Sequence, residues 1–107
     1  MQIEELNGYV ALFDIYGKLL SKKQFELMSE FLNFNLSETE LAETLGGSRQ
    51  SVHDAISKAK KQLVDFENKC QILKSINESK KKLVELKTAF NENDKAQSLI
   101  DDIIENL

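Results

Sequence analysis

Proline is absent from this chain of 107 residues, and glycine occurs only four times. Both residue types interrupt regular secondary structure, so their scarcity disfavours a fold of many short strands and favours long helices. Hydrophobic residues make up 41% of the chain and charged residues 30%, which is typical of a globular protein and not of a disordered or fibrous one. The length predicts roughly one domain with a core of its own.

Cysteine and histidine occur once each, as Cys70 and His53. A single cysteine excludes an internal disulfide and a thiolate zinc cluster, and a single histidine excludes a paired-histidine metal site. No nucleophile and base can be paired from these two residues, and Gly46–Gly47 lacks the spacing of a phosphate-binding loop. The sequence therefore predicts a protein that is not an enzyme and has no cofactor or metal. Cys70 is predicted to be a small buried apolar residue.

No stretch approaches the roughly 18 consecutive apolar residues of a membrane span, so no membrane partner is predicted. The acidic N-terminal segment MQIEELNGYV lacks the pattern of a signal peptide, and we expect a cytoplasmic protein. The net charge of −4 opposes general attraction to nucleic acid. However, residues 48–62 carry +3 and residues 75–90 carry +2, between acidic segments 1–17 and 91–107.

Helical spacing of apolar residues predicts about six helices and no strands, an all-α helical bundle. A serine followed three residues later by glutamine or glutamate predicts a capped helix start. This pattern occurs at Ser21–Gln24, Ser37–Glu40 and Ser75–Glu78. Gly46–Gly47 is predicted to end the third helix, Ser48 to cap the fourth, and Asp94 with Gln97 to cap the last.

The fourth predicted helix runs from Arg49 to Lys74, about 39 Å at 1.5 Å per residue. Its apolar residues recur at spacings of four and three along one seam. They are Val52, Ile56, Ala59, Leu63, Phe66, Cys70 and Leu73. A small bundle cannot cover so long a stripe, so we expect later helices or a second chain to cover its far half. We therefore predict a domain at 1–74, an extension at 75–107 that packs on the long helix or on a second chain, and a homodimer.

The segment Ser37–Ile56 has the form of a helix-turn-helix, although an ordinary helical hairpin would give the same pattern. Ala42 allows the two helices to approach closely, and Gly46 tolerates the backbone of the turn. On the second helix, Val52 and Ile56 are predicted to press against two apolar residues of the first helix. Those two residues are Leu41 and Leu45.

In a helix-turn-helix, the start of the second helix enters the major groove of DNA. The predicted contact residues are Ser48, Arg49, Gln50, Ser51, His53, Lys58 and Lys61. Arg49 is the only arginine and offers a two-pronged donor to guanine or phosphate, while Gln50 can pair with adenine. The two lysines can meet phosphates. An ordinary solvated helix face remains an alternative interpretation of these residues.

Two runs, LFDIYGKLLSKKQFELMSEFLNFNLSETELAE and SRQSVHDAISKAKKQL, resemble the YlxM family of small bacterial proteins over roughly residues 9–74. That family is similar to the last helix-turn-helix region of sigma factors, and its members are usually encoded beside the signal recognition particle GTPase. The resemblance places Ser48, Arg49 and Gln50 at the start of a recognition helix. The chain departs from the family pattern at Gly47, where an apolar residue is commoner, and at His53, where an aromatic residue is commoner.

Two functions follow as expectations. The first is a DNA-binding regulatory protein that binds double-stranded DNA and regulates or assists the signal recognition particle pathway. The second is an accessory protein that binds components of that particle without binding DNA. A continuous positive face around Arg49, Lys58 and Lys61 favours the first, whereas cancellation by Asp54 and the acidic helix at 38–43 favours the second.

Overall fold

The computed structural model describes the backbone of residues 3–107 and the side chains from Asn7 onward. Within this range the fold is all-α with no strand, as predicted. The helices are α1 (Ile3–Tyr16), α2 (Lys22–Asn33), α3 (Glu38–Leu45), α4 (Arg49–Cys70), α5 (Ile72–Ala89) and α6 (Asp94–Glu105), with a short 3₁₀ turn at Gly17–Leu19. The chain divides into two compact units, Met1–Gln71 and Ile72–Leu107.

In the first unit, α4 contacts α1, α2 and α3. Buried apolar side chains from all four helices, and one from the residue that follows the 3₁₀ turn, form the core of this unit. They are Leu12, Phe13, Tyr16, Leu20, Leu27, Met28, Leu41, Val52, Ile56, Ala59 and Leu63. The Tyr16 hydroxyl also donates a hydrogen bond of 2.6 Å to Oε1 of Glu67 on α4. The first half of α4 is therefore held from three sides, which fixes the direction in which its N-terminal end points.

Three of the predicted helix starts are confirmed. Ser21, Ser37 and Ser48 are the N-caps of α2, α3 and α4, and each forms a reciprocal capping box with the residue three positions later. The start predicted at Ser75 is wrong, because that residue lies inside α5. The cap predicted at Asp94 is also wrong, because the Asn93 side chain accepts the hydrogen bond from the Ala96 N–H.

The fourth helix ends at Cys70, four residues before the predicted end at Lys74. Gln71 has φ 55° and ψ 30°, and its N–H bonds to the Glu67 carbonyl at 2.8 Å. This left-handed residue stops α4. As a result the seam is not continuous, because Leu73 belongs to α5. Cys70 is exposed, so the prediction that it is buried is wrong.

The second unit is a hairpin of α5 and α6. The Gln97 Nε2 atom donates to the carbonyls of Lys87 and Phe90, both at 2.8 Å, and the Lys87 ammonium lies 2.6 Å from Oδ1 of Asp101. Among the hydrophobic residues of this hairpin only Ile100 is buried. Large apolar side chains remain exposed on both helices, in the turn between them and after α6. They are Ile72, Val84, Leu86, Phe90, Leu99, Ile103 and Leu107.

No helix described above has both the length and the apolar character needed to cross a bilayer.

Candidate nucleic-acid interface

The chain reverses between α3 and α4 at the two glycines, as the sequence predicts. Gly46 has φ 85° and its N–H donates to the Ala42 carbonyl at 3.0 Å, while Gly47 has φ 92°. Side chains rarely tolerate positive φ, so two successive residues of this kind call for glycine. The turn brings the start of α4 back beside the start of α3.

The two helices of the motif share a buried contact. Leu41 of α3 is fully buried, and Val52 and Ile56 of α4 are 6% and 3% exposed. The prediction that Leu45 joins this contact is wrong, because its side chain is 51% exposed at the end of α3. A single buried leucine therefore anchors α3 in the core beside α4.

Ser48 and Ser51 use their hydroxyls on the helix itself. Ser48 Oγ accepts from the Ser51 N–H at 3.0 Å. Ser51 Oγ accepts from the Ser48 N–H at 3.1 Å and donates to the Ser48 carbonyl at 2.8 Å. Both residues are exposed, but these bonds give them a structural role at the start of α4.

A shallow depression of about 500 Å³ lies at this end of the motif, lined by Glu38, Arg49, Gln50 and His53. The His53 Nδ1 atom is 3.0 Å from Oε2 of Glu38, which ties the first turn of α3 to the first turns of α4. Arg49 is exposed, and its guanidinium makes no ion pair with any side chain that the structure describes. The guanidinium is therefore available to an anionic or base-edge acceptor.

The predicted contact residues do not all come together. Arg49, Gln50 and His53 lie at the tip of α4, whereas Lys58 lines a separate cavity of about 670 Å³ between α2, the turn and α4. Lys61 is exposed further along the helix. Lys60, a third lysine of this segment, has its ammonium 4.9 Å from the Tyr9 ring and 5.2 Å from the Phe31 ring. The positive face is therefore interrupted.

Two carboxylates at the tip have specific partners that the sequence reasoning missed. Glu38 pairs with His53, and Asp54 accepts a hydrogen bond of 2.9 Å from Gln50 Nε2. The four-residue spacing of Gln50 and Asp54 is a signal that could have shown their contact. The pairing of Glu38 with His53 depends on how α3 packs against α4, so no local sequence pattern indicates this contact. Among the described residues, no group of three or more His, Cys, Asp or Glu side chains could hold a metal.

A family model described as "Putative helix-turn-helix protein, YlxM / p13 like" matches residues 3–103. The chain belongs to this family, UPF0122. The match extends beyond the 9–74 resemblance and includes α5 and most of α6, so the C-terminal hairpin is part of the family pattern.

Curated UPF0122 relatives support the same assignment over most of the chain. A protein of Clostridium botulinum is 34% identical over 100 residues, covering 90% of this chain and 92% of the relative. One from Fusobacterium nucleatum is 33% identical over 107 residues, covering all of this chain and 99% of the relative. One from Clostridium perfringens is 37% identical over 82 residues, covering 77% of this chain and 73% of the relative.

Proposed function

We propose that this UPF0122 chain is a non-enzymatic, DNA-binding regulatory protein that presents the tip of α4 to the major groove. The observation that carries the proposal is the unpaired, exposed guanidinium of Arg49 at the start of the second helix of the motif. Arginine supplies the commonest specific contact to guanine and also a two-pronged contact to phosphate.

The outward face of α4 supports this orientation. Gln50, Asp54 and Lys61 lie on the side of the helix opposite the buried residues Val52 and Ala59, as helical spacing requires. The 22 residues of α4 extend for about 33 Å, and a major groove roughly 12 Å wide admits one helix. The tip can therefore reach base edges while Lys61 remains near the phosphates.

Replacing Arg49 by alanine is expected to weaken binding to a selected duplex by about 1–3 kcal/mol, roughly fivefold to 150-fold. The cognate duplex is first isolated from a randomised pool with the wild-type protein at low salt. The two affinities are then compared by gel shift, because salt weakens every phosphate contact.

Two variants control this measurement. R49K keeps the positive charge but lacks the planar guanidinium, so its affinity should lie between those of R49A and the wild-type protein. K69A removes a charge from the last turn of α4 and should change the affinity little. Full affinity in R49A would refute the assignment of α4 as the recognition helix.

The second candidate is an accessory of the signal recognition particle that binds its protein or RNA and not DNA. Glu38 and Asp54 favour it, because these carboxylates lie beside the candidate contact residues and repel phosphate. Purified particle GTPase and particle RNA, each immobilised, test this candidate. Retention of the protein without sequence-selective binding to duplex DNA would favour this function. Both candidates imply the cytoplasmic location that we propose.

We also propose a homodimer formed through the α5–α6 hairpin, in which residues 75–107 of each copy pack against the other copy. The second unit has 36 residues, and units of fewer than about 40 usually need another stabilising partner. Residues 75–90 carry +2 and residues 91–107 carry −4, so a two-fold axis that places α5 against the partner's α6 pairs opposite charges.

Sedimentation of the full chain at micromolar concentration should give twice the chain mass of 12.2 kDa. Leu99 is 54% exposed, and L99E should shift the mass to that of one chain because it buries a charge in the apolar contact. S98E places the same charge on the next residue of α6, which is also exposed, and should leave the dimer intact. A single-chain mass for the wild-type protein would contradict the proposal.

A further inference from the structure

Gln50 has its side-chain amide oriented by a neighbour one helical turn away. Its Nε2 atom lies 2.9 Å from Oδ1 of Asp54, and both residues are exposed on α4. A carboxylate only accepts hydrogen bonds, so the amide nitrogen, and not the amide oxygen, must face Asp54. The contact therefore determines which donor and acceptor Gln50 turns outward.

After this bond is made, Gln50 retains one N–H donor on Nε2 and the acceptor Oε1. In the major groove adenine offers an acceptor at N7 beside a donor at its amino group, which matches this pair. Guanine offers two acceptors, so Oε1 would face another acceptor. Cytosine offers a donor and thymine an acceptor, and either satisfies only one of the two groups.

We propose that Asp54 is a positioning residue that holds Gln50 in the orientation that recognises adenine. The preferred duplex then has an A·T pair opposite Gln50. This inference rests on the proposed DNA-binding function and adds to it the base that the tip of α4 selects.

The carboxylate of Asp54 has two separable effects on a duplex. Its charge repels phosphates, which lowers the affinity for every sequence alike. Its hydrogen bond to Gln50 orients the amide, which affects only the choice of base at one position. Replacing the carboxylate by an amide, which is neutral and both donates and accepts, should therefore raise general affinity and lower discrimination at that position, a combination that a purely structural residue would not produce.

The test uses the full-length protein and a randomised duplex DNA pool at low salt. Sites selected by the wild-type protein and by Q50A are compared, and the position whose preference Q50A abolishes is assigned to Gln50. Duplexes carrying each of the four base pairs at that position are then measured with the wild-type protein, D54N, D54E and D65N. Asp65 is an exposed carboxylate on the same helix, so D65N makes the same charge change away from Gln50.

We expect the wild-type protein to favour A·T at that position by about tenfold, the scale of one good two-pronged contact. D54N should reduce the preference to about threefold or less, because an asparagine amide both donates and accepts and so no longer requires the Gln50 nitrogen to face it. D54E, which only accepts, and D65N should retain the preference. Both asparagine variants should bind all duplexes more tightly than the wild-type protein.

Four results would overturn the inference. An adenine preference that survives unchanged in D54N removes the positioning role, and a different preferred base at the position assigned to Gln50 removes the adenine assignment. Binding that depends on Arg49 but is unaffected by Q50A also removes it, while leaving the proposed function intact. Failure of the wild-type protein to bind any duplex would reject the proposed function together with this inference.

Discussion

Replacing Leu41 by alanine is expected to lower the free energy of unfolding by about 2–5 kcal/mol, the range for a leucine removed from a packed core. Leu41 is fully buried, and no other residue of α3 is buried. The cavity left by the substitution would therefore weaken the attachment of α3 to the core. Urea denaturation followed by far-ultraviolet circular dichroism measures the change.

Leu45→Ala is the matched control, because it makes the same chemical change four residues later on the same helix. Leu45 is 51% exposed, so its truncation removes little buried surface and should cost about 1 kcal/mol or less. Equal destabilisation by the two variants would contradict the packing of α3 described above.

Replacing Gly46 by alanine is expected to destabilise the protein by about 1–3 kcal/mol, the cost of holding a non-glycine residue in a backbone region reserved for glycine. Gly46 has φ 85° and ψ 166°. A Cβ atom there would meet nothing within 4 Å, so the expected loss comes from the backbone and not from a clash. The midpoint of urea denaturation reports it.

Gly8→Ala is the control with the opposite expected sign. Gly8 lies inside α1, and a Cβ atom there also meets nothing within 4 Å. Alanine should stabilise that helix by roughly 0.5–1 kcal/mol. If Gly46→Ala proved as harmless as Gly8→Ala, the α3–α4 turn could not have the conformation described here.

Local chemistry explains what the sequence predicted well. A capping serine and its partner lie three residues apart, so the starts of α2, α3 and α4 depend on contacts that the sequence contains directly. The same reasoning failed at Ser75, where a capping pattern lies within a helix that had already begun at Ile72. A local signal shows that a start is possible, but neighbouring structure decides whether it is used.

Features that depend on tertiary structure escaped prediction. The end of α4 lies at Gln71, a residue type with no special tolerance for the left-handed conformation that it adopts. Exposure of Cys70 follows from that early end, although its spacing placed it on the apolar seam. At the candidate site, the sequence predicted the residues of the tip but not the pairing of His53 with Glu38, which requires α3 to be docked on α4.

The reciprocal caps of α2, α3 and α4 differ in their third helical residue, which is Gln24 in α2, Glu40 in α3 and Ser51 in α4. Glutamate in that position would gain from the partial positive charge at a helix start. At α4 the same acid would stand two residues from Arg49 and would oppose an incoming polyanion. With serine completing the capping box, the first turn of α4 is held together by neutral groups alone, and Arg49 supplies the only formal charge of that turn.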